Sequence, residues 1–448
     1  MYWMYIGLGK ILGLGAYTAV FLTIVVGLFY SAILLLPWLL YCACPPNSRV
    51  RLACFPFAWI LCEWFRYWIF GGLTWLLAGY VFQPGWLSGW IPVFGVMGAS
   101  LAACLSAVLF FVSIPGQKRL LPVVGITLIW VAGGLLTTVN WTQSLNSSIP
   151  VTIVQPEAKI WLQRSYNSEE RDQLWNQEVA DLSAGNWQPG LLIWPERGLR
   201  ASVDHSAKRL RSLALQAKSS NTALITGGNY FETLPDNDFL VYNSIYGMGA
   251  ADGLYLKEKL APLGERNLLG NFLGLFSDNE KRLSAKATSP QEKLINFKYQ
   301  EESFSIASLI CYEIAWGNYL NSYAKSANIL INLSNDRWFY PSPQLDQTLE
   351  IAQIRSLEQQ KPLLRSSFGG YSAHINYRGE IIARATDTSA QTITTFVEPR
   401  TGQTPYSRFG DLPVILLAML IWLISVASVK FRRPDTVKHP AATDEANG

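Results

Sequence analysis

The sequence predicts a chain with two kinds of structure, a multi-span α-helical membrane domain and a layered α/β domain. Residues 11–140 carry very few charges, and a second apolar run covers about 411–429. The segment between them has an ordinary composition, in which short β-prone runs alternate with segments of helical period. Such alternation is typical of α/β proteins, and a stretch of this length can form one substantial domain with its own core.

The long apolar runs predict four membrane spans before the α/β domain and one after it. Each run is close to or above the roughly 20 residues that cross a bilayer as a helix. The predicted spans cover residues 11–40, 54–80, 91–114, 121–138 and 409–430. The resulting division is 1–140 (N-terminal membrane domain), 141–408 (α/β domain), 409–430 (last span) and 431–448 (tail).

Basic clusters predict the orientation of these spans. Arg49 and Arg51 follow the first span, Lys118 and Arg119 follow the third, and further basic residues begin the tail. Because Lys and Arg are enriched in cytoplasmic loops, the α/β domain is expected outside and the tail in the cytoplasm. The net charge of +4 comes partly from these clusters, so no nucleic-acid partner is expected. No cleavable signal peptide is expected, since the apolar runs are too long and the first residues carry no basic group.

Two charges lie inside the second predicted span. Glu63 and Arg66 are three residues apart and share one face of a helix. Charges at that depth are costly, so we expect them to pair with each other or to face a cavity. Their expected role is to fix helix packing rather than to take part in catalysis.

The α/β domain is predicted to alternate strands and helices, with strands clustered towards its end. Strands are expected at 151–155, 191–194, 223–228, 241–246, 304–310 and 329–333, with several more between 362 and 397. Helices are expected at 169–183, 207–218 and 345–358. This pattern favours a layered sandwich built around a mixed sheet.

Three reactive side chains each follow a predicted strand or lie in a turn. Glu196 comes after Leu-Leu-Ile-Trp-Pro, Lys257 after Tyr-Leu, and Cys311 after Ser-Leu-Ile. Each alone is as consistent with a surface charge or a packed thiol. Together they supply what acyl transfer requires: a thiol that attacks a carbonyl carbon, a carboxylate that takes its proton, and a lysine that stabilises the oxyanion. The three histidines are scattered, so neither a Cys–His pair nor a zinc site is expected.

The motifs around these residues resemble those of the carbon–nitrogen hydrolase (nitrilase) superfamily. Trp-Pro-Glu ends at Glu196, Lys-x-x-Leu-x-Pro-x-Gly-Glu starts at Lys257, and Cys-Tyr-Glu starts at Cys311. Further motifs in the same order are Asn332-Leu-Ser-Asn-Asp-x-Trp-Phe, Arg355-x-x-Glu, Pro362-x-x-Arg and Thr401-Gly-x-Thr-Pro-Tyr. With membrane spans on both sides of these motifs, the chain resembles the apolipoprotein N-acyltransferase family over nearly its whole length.

The resemblance implies an α/β nitrilase-like (αββα sandwich) fold for the domain and a role for each site residue. It implies Glu196 as the general base, Lys257 as the oxyanion-stabilising lysine and Cys311 as the nucleophile. The supporting residues that it implies are Glu265, Tyr312 and Glu313, and the pocket residues are Trp161, Asn243 and Trp338.

The reaction that the resemblance implies has two halves and needs no cofactor or metal. Cys311 takes the sn-1 acyl chain of a phospholipid as a thioester, and the α-amino group of the N-terminal diacylglyceryl-cysteine of an apolipoprotein then accepts it. The implied partners are the phospholipid donor, the apolipoprotein acceptor and the bilayer. The implied setting is a monomer in the bacterial inner membrane, with its catalytic domain on the periplasmic side. Residues 267–276 form an apolar stretch that is a candidate lid to keep water from the thioester.

Two departures from the family pattern and two rival functions stay open at this point. The chain begins Tyr2-Trp3-Met4-Tyr5, which resembles the end of one of the family's early spans. Arg337 and Tyr340 stand where the family has a small residue and a glycine, and residues 366–370 also differ from the family pattern. The rivals are a membrane-tethered amidase and a non-catalytic paralogue that binds lipid or lipoprotein. Retention of the three reactive residues argues against the second rival.

Overall fold

The N-terminal part of the chain is built of helices, as its apolar runs predict. The computed structural model describes residues 2–11, 13–44, 48–69, 72, 74–113, 120–157, 168–200, 203–235, 239–261, 265 and 292–430. The helices are α1 (Tyr2–Ile11), α2 (Ala16–Ile33), α3 (Leu36–Cys42), α4 (Ser48–Phe65), α5 (Ile91–Ser113), α6 (Leu120–Leu136), α7 (Ser168–Ser183), α8 (Val203–Ser219), α9 (Gly317–Asn321), α10 (Gln344–Gln359), α11 (Pro405–Phe409) and α12 (Leu412–Lys430). Two described stretches are long and apolar enough to cross a membrane, and they are Ala16–Cys42 and Trp86–Ser113. Leu120–Leu136 and Leu412–Ala427 are shorter apolar helices.

The second predicted span is wrong in its extent. The sequence predicts one helix over 54–80, but α4 ends two residues after Glu63. Arg66 donates to the carbonyl oxygen of Trp75, and Glu63 accepts from the backbone N–H of Ala78 at 2.7 Å. Both charges therefore bind the backbone of an irregular apolar loop. Backbone polar groups in such surroundings need internal partners, which explains why the two charged residues occur there.

The other predicted spans agree with helices to within a few residues. Helices α5, α6 and α12 cover the third, fourth and last of them, and the first is divided into α2 and α3 by a turn at 34–35. Large apolar side chains are exposed on α2, α6 and α12, among them Leu28, Leu121 and Leu420. Contiguous apolar surface of this kind is typical of proteins that contact lipid or a partner.

A mixed sheet forms most of the α/β part. Its strands are β2 (Ile149–Gln155), β3 (Gly190–Ile193), β4 (Thr222–Thr233), β5 (Phe239–Gly249), β6 (Ala251–Leu256), β7 (Leu294–Tyr299), β8 (Glu302–Ile310), β9 (Ile329–Asn335), β10 (Leu363–Phe368), β11 (Ala373–Ile375), β12 (Ile381–Arg384) and β13 (Gln391–Val397), while β1 (Thr142–Ser144) and β14 (Arg400–Gly402) form a separate pair. The order across the large sheet is β12-β11-β10-β9-β8-β7-β6-β5-β4-β3-β2-β13. Strands β2–β3–β4 and β8–β9–β10 are parallel neighbours, and the other pairs are antiparallel.

The sheet folds over so that its two halves face each other. Ile153 of β2, Ile306 of β8 and Ile331 of β9 belong to one buried cluster between the halves. The hydroxyl of Ser366 in β10 donates to the carbonyl oxygen of Val154 in β2 at 2.7 Å, which joins the halves directly. The parallel strands are buried on both faces, and this accounts for their nearly continuous apolar runs.

Helices cover the outer faces of both halves. Trp175 of α7 packs with Leu192 and Leu224 on one outer face. Ala352 of α10 packs with Leu330 on the other, in a cluster that also includes residues of α4 and α5. The layers are thus helix, sheet, sheet and helix, which agrees with the predicted sandwich. Helix α10 lies between the sheet and the N-terminal helices.

The ends of the α/β part meet in the β1–β14 pair. Thr142 of β1 is the partner of Gly402 of β14, and the hydroxyl of Thr142 donates to the carbonyl oxygen of Gln360. A buried ion pair of α10, Arg355 with Glu358, lies close by, and Glu358 accepts from the backbone N–H of Val96 in α5 at 3.0 Å. This junction fixes the sheet relative to the helices on either side of it in sequence.

Candidate active site

Cys311 lies in a strained turn at the end of β8. The residue has φ +51°, a left-handed conformation that a side chain with a Cβ rarely adopts and that costs about 1–2 kcal/mol. A 3₁₀ turn, Cys311–Ala315, begins at the same residue. The sharp reversal brings the thiol to the carboxyl edge of the sheet, where the parallel strands β8, β9 and β10 all end. Strain that is retained at one reactive residue is common at functional sites.

A buried polar network under this turn holds it in place. The Asn332 amide donates to the carbonyl oxygens of Leu309 and Cys311 at 3.2 and 3.5 Å. Arg365 donates to the Asn332 side chain and to the carboxylate of Asp336. The sequence analysis includes these three residues only within family motifs and gives them no role. Asn332 and Arg365 are polar residues on strands of otherwise apolar sequence, and that contrast is the signal that could have predicted a buried network under the turn.

Glu196 follows β3 and is almost fully buried. Its Oε1 accepts from the side-chain amide of Asn243 in β5 at 2.6 Å, while its Oε2 has no hydrogen-bond partner among the described residues. Gly227 makes this turn possible, because a Cβ at that position would lie 2.8 Å from the Cα of Glu196. Glu196 is therefore a carboxylate with one oxygen fixed and the other available in the pocket.

Lys257 follows β6 and is buried with its charge paired. Its Nζ lies 2.7 Å from Oε1 of Glu265. Burial alone lowers the pKa of Lys257, but Glu265 and Glu196 outweigh that effect and raise the pKa above its ordinary value, so the ammonium stays charged. Lys257 lowers the pKa of Glu265 in turn, against the effect of burial. The backbone N–H of Lys257 donates to the carbonyl oxygen of Asn243, and the side-chain amide of Asn243 donates to Glu196. Asn243 therefore positions both Glu196 and Lys257.

Glu313 has a fully bonded carboxylate. Its Oε1 accepts from the backbone N–H groups of Glu258 and Lys259, each at 2.9 Å. Its Oε2 accepts from the backbone N–H of Ile310 at 2.8 Å and from the hydroxyl of Tyr255 at 2.7 Å. These bonds connect the segment that follows Lys257 to the turn that carries Cys311. Glu313 is thus a positioning residue that sets the lysine relative to the thiol.

Tyr312 joins the turn to the N-terminal helices. Its hydroxyl donates to the carbonyl oxygen of Gly72 at 3.0 Å, and its ring stacks on that of Trp75 with centroids 6.4 Å apart. Arg66 holds the carbonyl of Trp75 from the other side. The loop after α4 therefore lies directly against the residue that follows the nucleophile.

The thiol of Cys311 is electrostatically coupled to the other two reactive groups. Burial, and then the negative charge of Glu196, raise the pKa of Cys311 to about 12, while Lys257 acts in the opposite direction. The thiol is therefore protonated at neutral pH. Attack on a carbonyl carbon from this site requires a base to take the proton, and Glu196 is the carboxylate with an available oxygen.

The remaining predicted site residues divide into those the structure describes and those it does not. Trp338 lies in the turn after β9 with the guanidinium of Arg337 4.1 Å from its ring centroid. Trp161 and the candidate lid 267–276 lie outside the described residues, as does the tail. His374 of β11 is buried, and its ring nitrogen Nδ1 is hydrogen-bonded to the hydroxyl of Thr395 in β13. No three His, Cys, Asp or Glu side chains among the described residues are grouped so as to hold a metal ion.

Comparison with known families agrees with this arrangement. The carbon–nitrogen hydrolase family matches residues 151–406, and the N-terminal domain of apolipoprotein N-acyltransferase matches residues 1–109. The apolipoprotein N-acyltransferase of Pseudomonas aeruginosa is 31% identical over 400 residues, which cover 87% of this chain and 77% of that protein. That of Coxiella burnetii is 27% identical over 394 residues, or 84% of this chain and 77% of that protein.

Solved structures resemble the chain only in part. An amidase of the nitrilase superfamily from Nesterenkonia is 14% identical, with 59% of this chain and 95% of that chain covered and a TM-score of 0.39. The assignment comes instead from the two family matches, over residues 1–109 and 151–406, and from the relative that is 31% identical over 87% of this chain. The chain therefore belongs to the apolipoprotein N-acyltransferase family, with a carbon–nitrogen hydrolase domain.

Proposed function

We propose that this protein transfers the sn-1 acyl chain of a phospholipid to the α-amino group of the N-terminal diacylglyceryl-cysteine of an apolipoprotein. One observation above all supports a lipid substrate. The residue beside the nucleophile, Tyr312, bonds and stacks on the loop between α4 and the apolar helix α5. A thiol in that place is close to acyl chains that enter from a bilayer.

In the first half-reaction, Sγ of Cys311 attacks the ester carbonyl carbon of the phospholipid. Glu196 takes the thiol proton through its available oxygen as the S–C bond forms. Lys257 faces the oxyanion of the tetrahedral intermediate, and its charge is maintained by Glu265. The C–O bond then breaks, and Glu196 returns the proton to the glycerol oxygen. The lysophospholipid leaves, and a thioester remains on Cys311.

In the second half-reaction, the α-amino nitrogen of the apolipoprotein attacks the thioester carbonyl. Glu196 takes a proton from the amine as the C–N bond forms. When the C–S bond breaks, that proton returns to the sulfur and restores the thiol of Cys311. The two halves use the same three side chains, so a single pocket serves both substrates in turn.

The membrane setting belongs to the same proposal. We infer four spans in 1–140 and one in 409–430, with the catalytic domain 141–408 on the periplasmic side of the inner membrane. The exposed apolar side chains of α2, α6 and α12 and the basic residues after the first and last spans support this orientation. Both substrates are anchored in lipid, so they reach the site by diffusion in the plane of the membrane.

The direct test is acylation of the purified full chain. The protein in detergent is mixed with a phospholipid that carries a defined sn-1 chain and is weighed intact. We expect a mass gain of one acyl chain that hydroxylamine removes, that is absent in Cys311→Ala and that persists in Cys42→Ala, since Cys42 is an exposed thiol elsewhere. Addition of a diacylglyceryl peptide with a free amine should then move the acyl chain to the peptide.

Other outcomes of this test select the rival functions. Free fatty acid without transfer to the amine supports a membrane-tethered amidase or hydrolase. A folded protein that binds lipid, with no adduct and no lipid consumed, supports the non-catalytic paralogue. Either outcome would overturn the proposed transfer reaction.

A further inference from the structure

The first helix, α1, contacts two segments that support the nucleophile, and the proposed chemistry uses none of its residues. The ring of Trp3 contacts two other rings, and its centroid lies 5.6 Å from that of Trp75 and 5.6 Å from that of Phe339. Trp75 belongs to the loop after α4, and Phe339 belongs to the turn after β9. One side chain of α1 therefore joins two segments that are far apart in the chain.

A second residue of α1 contacts the same turn. The ammonium of Lys10 donates to the carbonyl oxygen of Tyr340, the residue after Phe339. Lys10 and Trp3 are about two helical turns apart, so they share one face of α1. That face of the helix lies against the turn after β9, whereas Tyr2 is 63% exposed.

The loop after α4 supports the turn of Cys311 through ring stacking. The rings of Trp75 and Tyr312 are stacked, with 8° between their planes and 6.4 Å between their centroids. The indole N–H of Trp75 donates to the side chain of Gln347 in α10 at 2.7 Å, and its carbonyl oxygen accepts from the hydroxyl of Tyr30 at 2.9 Å. Trp75 is thus held on several sides, and its ring acts on the residue that follows the nucleophile.

The turn after β9 supports the same residue through hydrogen bonds. The backbone N–H of Phe339 donates to the carbonyl oxygen of Asp336 at 2.9 Å. The carboxylate of Asp336 pairs with Arg365, and Arg365 donates to the side chain of Asn332. Asn332 in turn donates to the carbonyl oxygen of Cys311 at 3.5 Å. Asp336, Arg365 and Asn332 are buried, so water does not compete for these bonds.

The left-handed backbone of Cys311 requires such support. A strained conformation persists only where the surrounding contacts over-determine it, and efficient attack needs the thiol within about 0.5 Å of its productive position. Stacking on Tyr312 acts on the residue after the nucleophile, and Asn332 acts on the carbonyl of the nucleophile itself. Because Trp3 contacts one member of each support, it fixes the two supports relative to each other.

We propose that Trp3 is a positioning residue for Cys311 and that α1 is thereby a part of the active site's support. Trp3 acts through Trp75 and Phe339 and not by contact with the substrate. The inference rests on the proposed function, because the step that it affects is the acylation of Cys311. Loss of the Trp3 ring should therefore lower the maximal rate of acylation and leave the KM for the donor nearly unchanged.

The test compares a short and a long acyl donor with the full chain in detergent. 4-Nitrophenyl butyrate and 4-nitrophenyl palmitate acylate a thiol without a phospholipid headgroup, and the burst of 4-nitrophenol minus that of Cys311→Ala reports acylation of Cys311. We expect Trp3→Ala to lower the maximal acylation rate about tenfold for both esters and for phosphatidylethanolamine. Trp3→Phe should recover most of the loss, since an aromatic ring still contacts both segments.

Two further variants separate positioning from general stability. Tyr2→Ala is the matched control, because Tyr2 is an exposed residue of the same helix whose ring contacts that of Tyr5, and it should change none of the rates. In a Trp75→Ala background, Trp3→Ala should lower the rate by less than it does in the wild type, because one of the two supports is already lost. All rates are measured at a temperature at which thermal melts show every variant to be folded.

The other outcomes would overturn the proposal. A lower melting temperature with unchanged acylation rates would show that Trp3 only stabilises the fold. A loss confined to the palmitate ester, and arising in KM, would show that Trp3 contacts the acyl chain instead. Equal losses from Trp3→Ala with and without Trp75 would show that the two residues act independently.

Failure of the proposed function gives a different result. Wild-type protein would then react with the two esters at Cys311 and not with phosphatidylethanolamine, and the ester rates of the Trp3 variants would still decide whether Trp3 positions the thiol. The two failures are thus distinguishable.

Discussion

The turn after β3 and the turn after β8 each place a buried carboxylate near Lys257, yet the two carboxylates are bonded very differently. Glu313 after β8 accepts from Ile310, Glu258, Lys259 and Tyr255, so both of its oxygens are occupied. Among the described residues, Glu196 after β3 accepts from a single side chain, and one of its oxygens has no hydrogen-bond partner.

The difference teaches how a site separates reaction from positioning. A saturated carboxylate has no lone pair to offer a proton, so it can only hold other groups in place. A buried carboxylate oxygen without a hydrogen bond destabilises the folded state. Proteins keep such an oxygen where a proton must be moved. The same residue type therefore serves opposite purposes, and the number of its hydrogen bonds predicts which.

The largest effect expected from this comparison is that of Glu196→Gln. The amide cannot take the thiol proton, so the rate at which a phospholipid acylates Cys311 should fall about 10³-fold. Because Oε2 makes no hydrogen bond to any described residue, the melting temperature should stay within about 2 °C of wild type. Intact mass spectrometry over time and a thermal melt measure the two quantities.

The matched control is Glu398→Gln, an exposed glutamate that should change neither quantity. If Glu196→Gln retained more than a tenth of the acylation rate, another base would have to take the proton. The number of hydrogen bonds would then not distinguish the carboxylate that reacts from the one that positions other groups.

Glu265→Gln tests the carboxylate that lies between these extremes. It pairs with Lys257 and accepts from the backbone N–H of Ala261. Without the carboxylate, the buried ammonium loses its closest counter-charge, and we expect acylation to fall about 10²-fold and stability to fall by about 2–4 kcal/mol. The measurement is the acylation rate with chemical denaturation at neutral pH.

The pH dependence of stability sharpens that test. Because Lys257 holds the pKa of Glu265 below its ordinary value of 4.5, the pair stabilises the folded state above that pH and loses this contribution as the pH falls below it. Wild-type protein should therefore lose more stability between about pH 5 and about pH 3 than Glu265→Gln does, as estimated from melting temperatures with about 0.5-unit pH steps. Equal slopes for the two proteins would contradict the ion pair.

Glu313→Gln should act mainly on stability. The variant side chain places an NH₂ group against donors that now face an oxygen, so at least one buried N–H is left unbonded at a cost of about 1–3 kcal/mol. We expect the melting temperature to fall by about 5 °C and acylation by about tenfold, since Lys257 is no longer tied to the turn. A loss as large as that of Glu196→Gln, with no fall in melting temperature, would assign Glu313 a direct chemical part.

The smallest effect is expected from Arg66→Gln, which extends the comparison to the loop after α4. The variant loses the hydrogen bond from the guanidinium to the carbonyl oxygen of Trp75, and Trp75 reaches Cys311 only through Tyr312. We therefore expect the acylation rate to stay within about threefold of wild type and the free energy of unfolding to fall by about 1–2 kcal/mol. Arg51→Ala, near the other end of α4, is the control. A rate loss above about 30-fold would show that the loop takes part in the reaction rather than supporting the turn.

Apolar periodicity and strand ends predicted much of the fold. The strands that precede Glu196 and Cys311 appear with nearly the expected bounds, because buried parallel strands have continuous apolar sequences. Strand β6 was missed because Asp252 and Gly253 interrupt its apolar character. Strand β7 was missed although Leu294 to Tyr299 alternates apolar and polar residues, which is a period-two signal.

The end of α4 could not be predicted from hydropathy. The loop that follows is as apolar as the helix, so the sequence gives no break in character where the backbone leaves the helix. The structure shows that Glu63 and Arg66 mark the break, since they bind the loop backbone. Charged residues in an apolar run are therefore better interpreted as partners for irregular backbone than as a pair within one helix.

The sequence predicts only part of the candidate site, because many contacts in the site join residues that are far apart in the chain. Glu196, Lys257 and Cys311 stand out in sequence because each follows a strand or a turn signal, whereas the hydrogen bonds of Glu313 come from two separate segments, 255–259 and the end of β8. The ring of Phe368 in β10 likewise contacts Trp175 of α7 and the guanidinium of Arg337 in the turn after β9. No local pattern indicates such long-range contacts.

The short β1–β14 pair has a mechanical consequence. Since Thr142 and Gly402 are partners, the chain enters and leaves the sheet sandwich at one place. A pull on α6 or α12 therefore passes directly from one helix to the other through this pair, rather than through the strands that carry the reactive groups. The bond between Glu358 and the backbone of Val96 and the packing of α10 on α4 and α5 resist any rotation of the sandwich about the pair, so the distances inside the pocket are preserved.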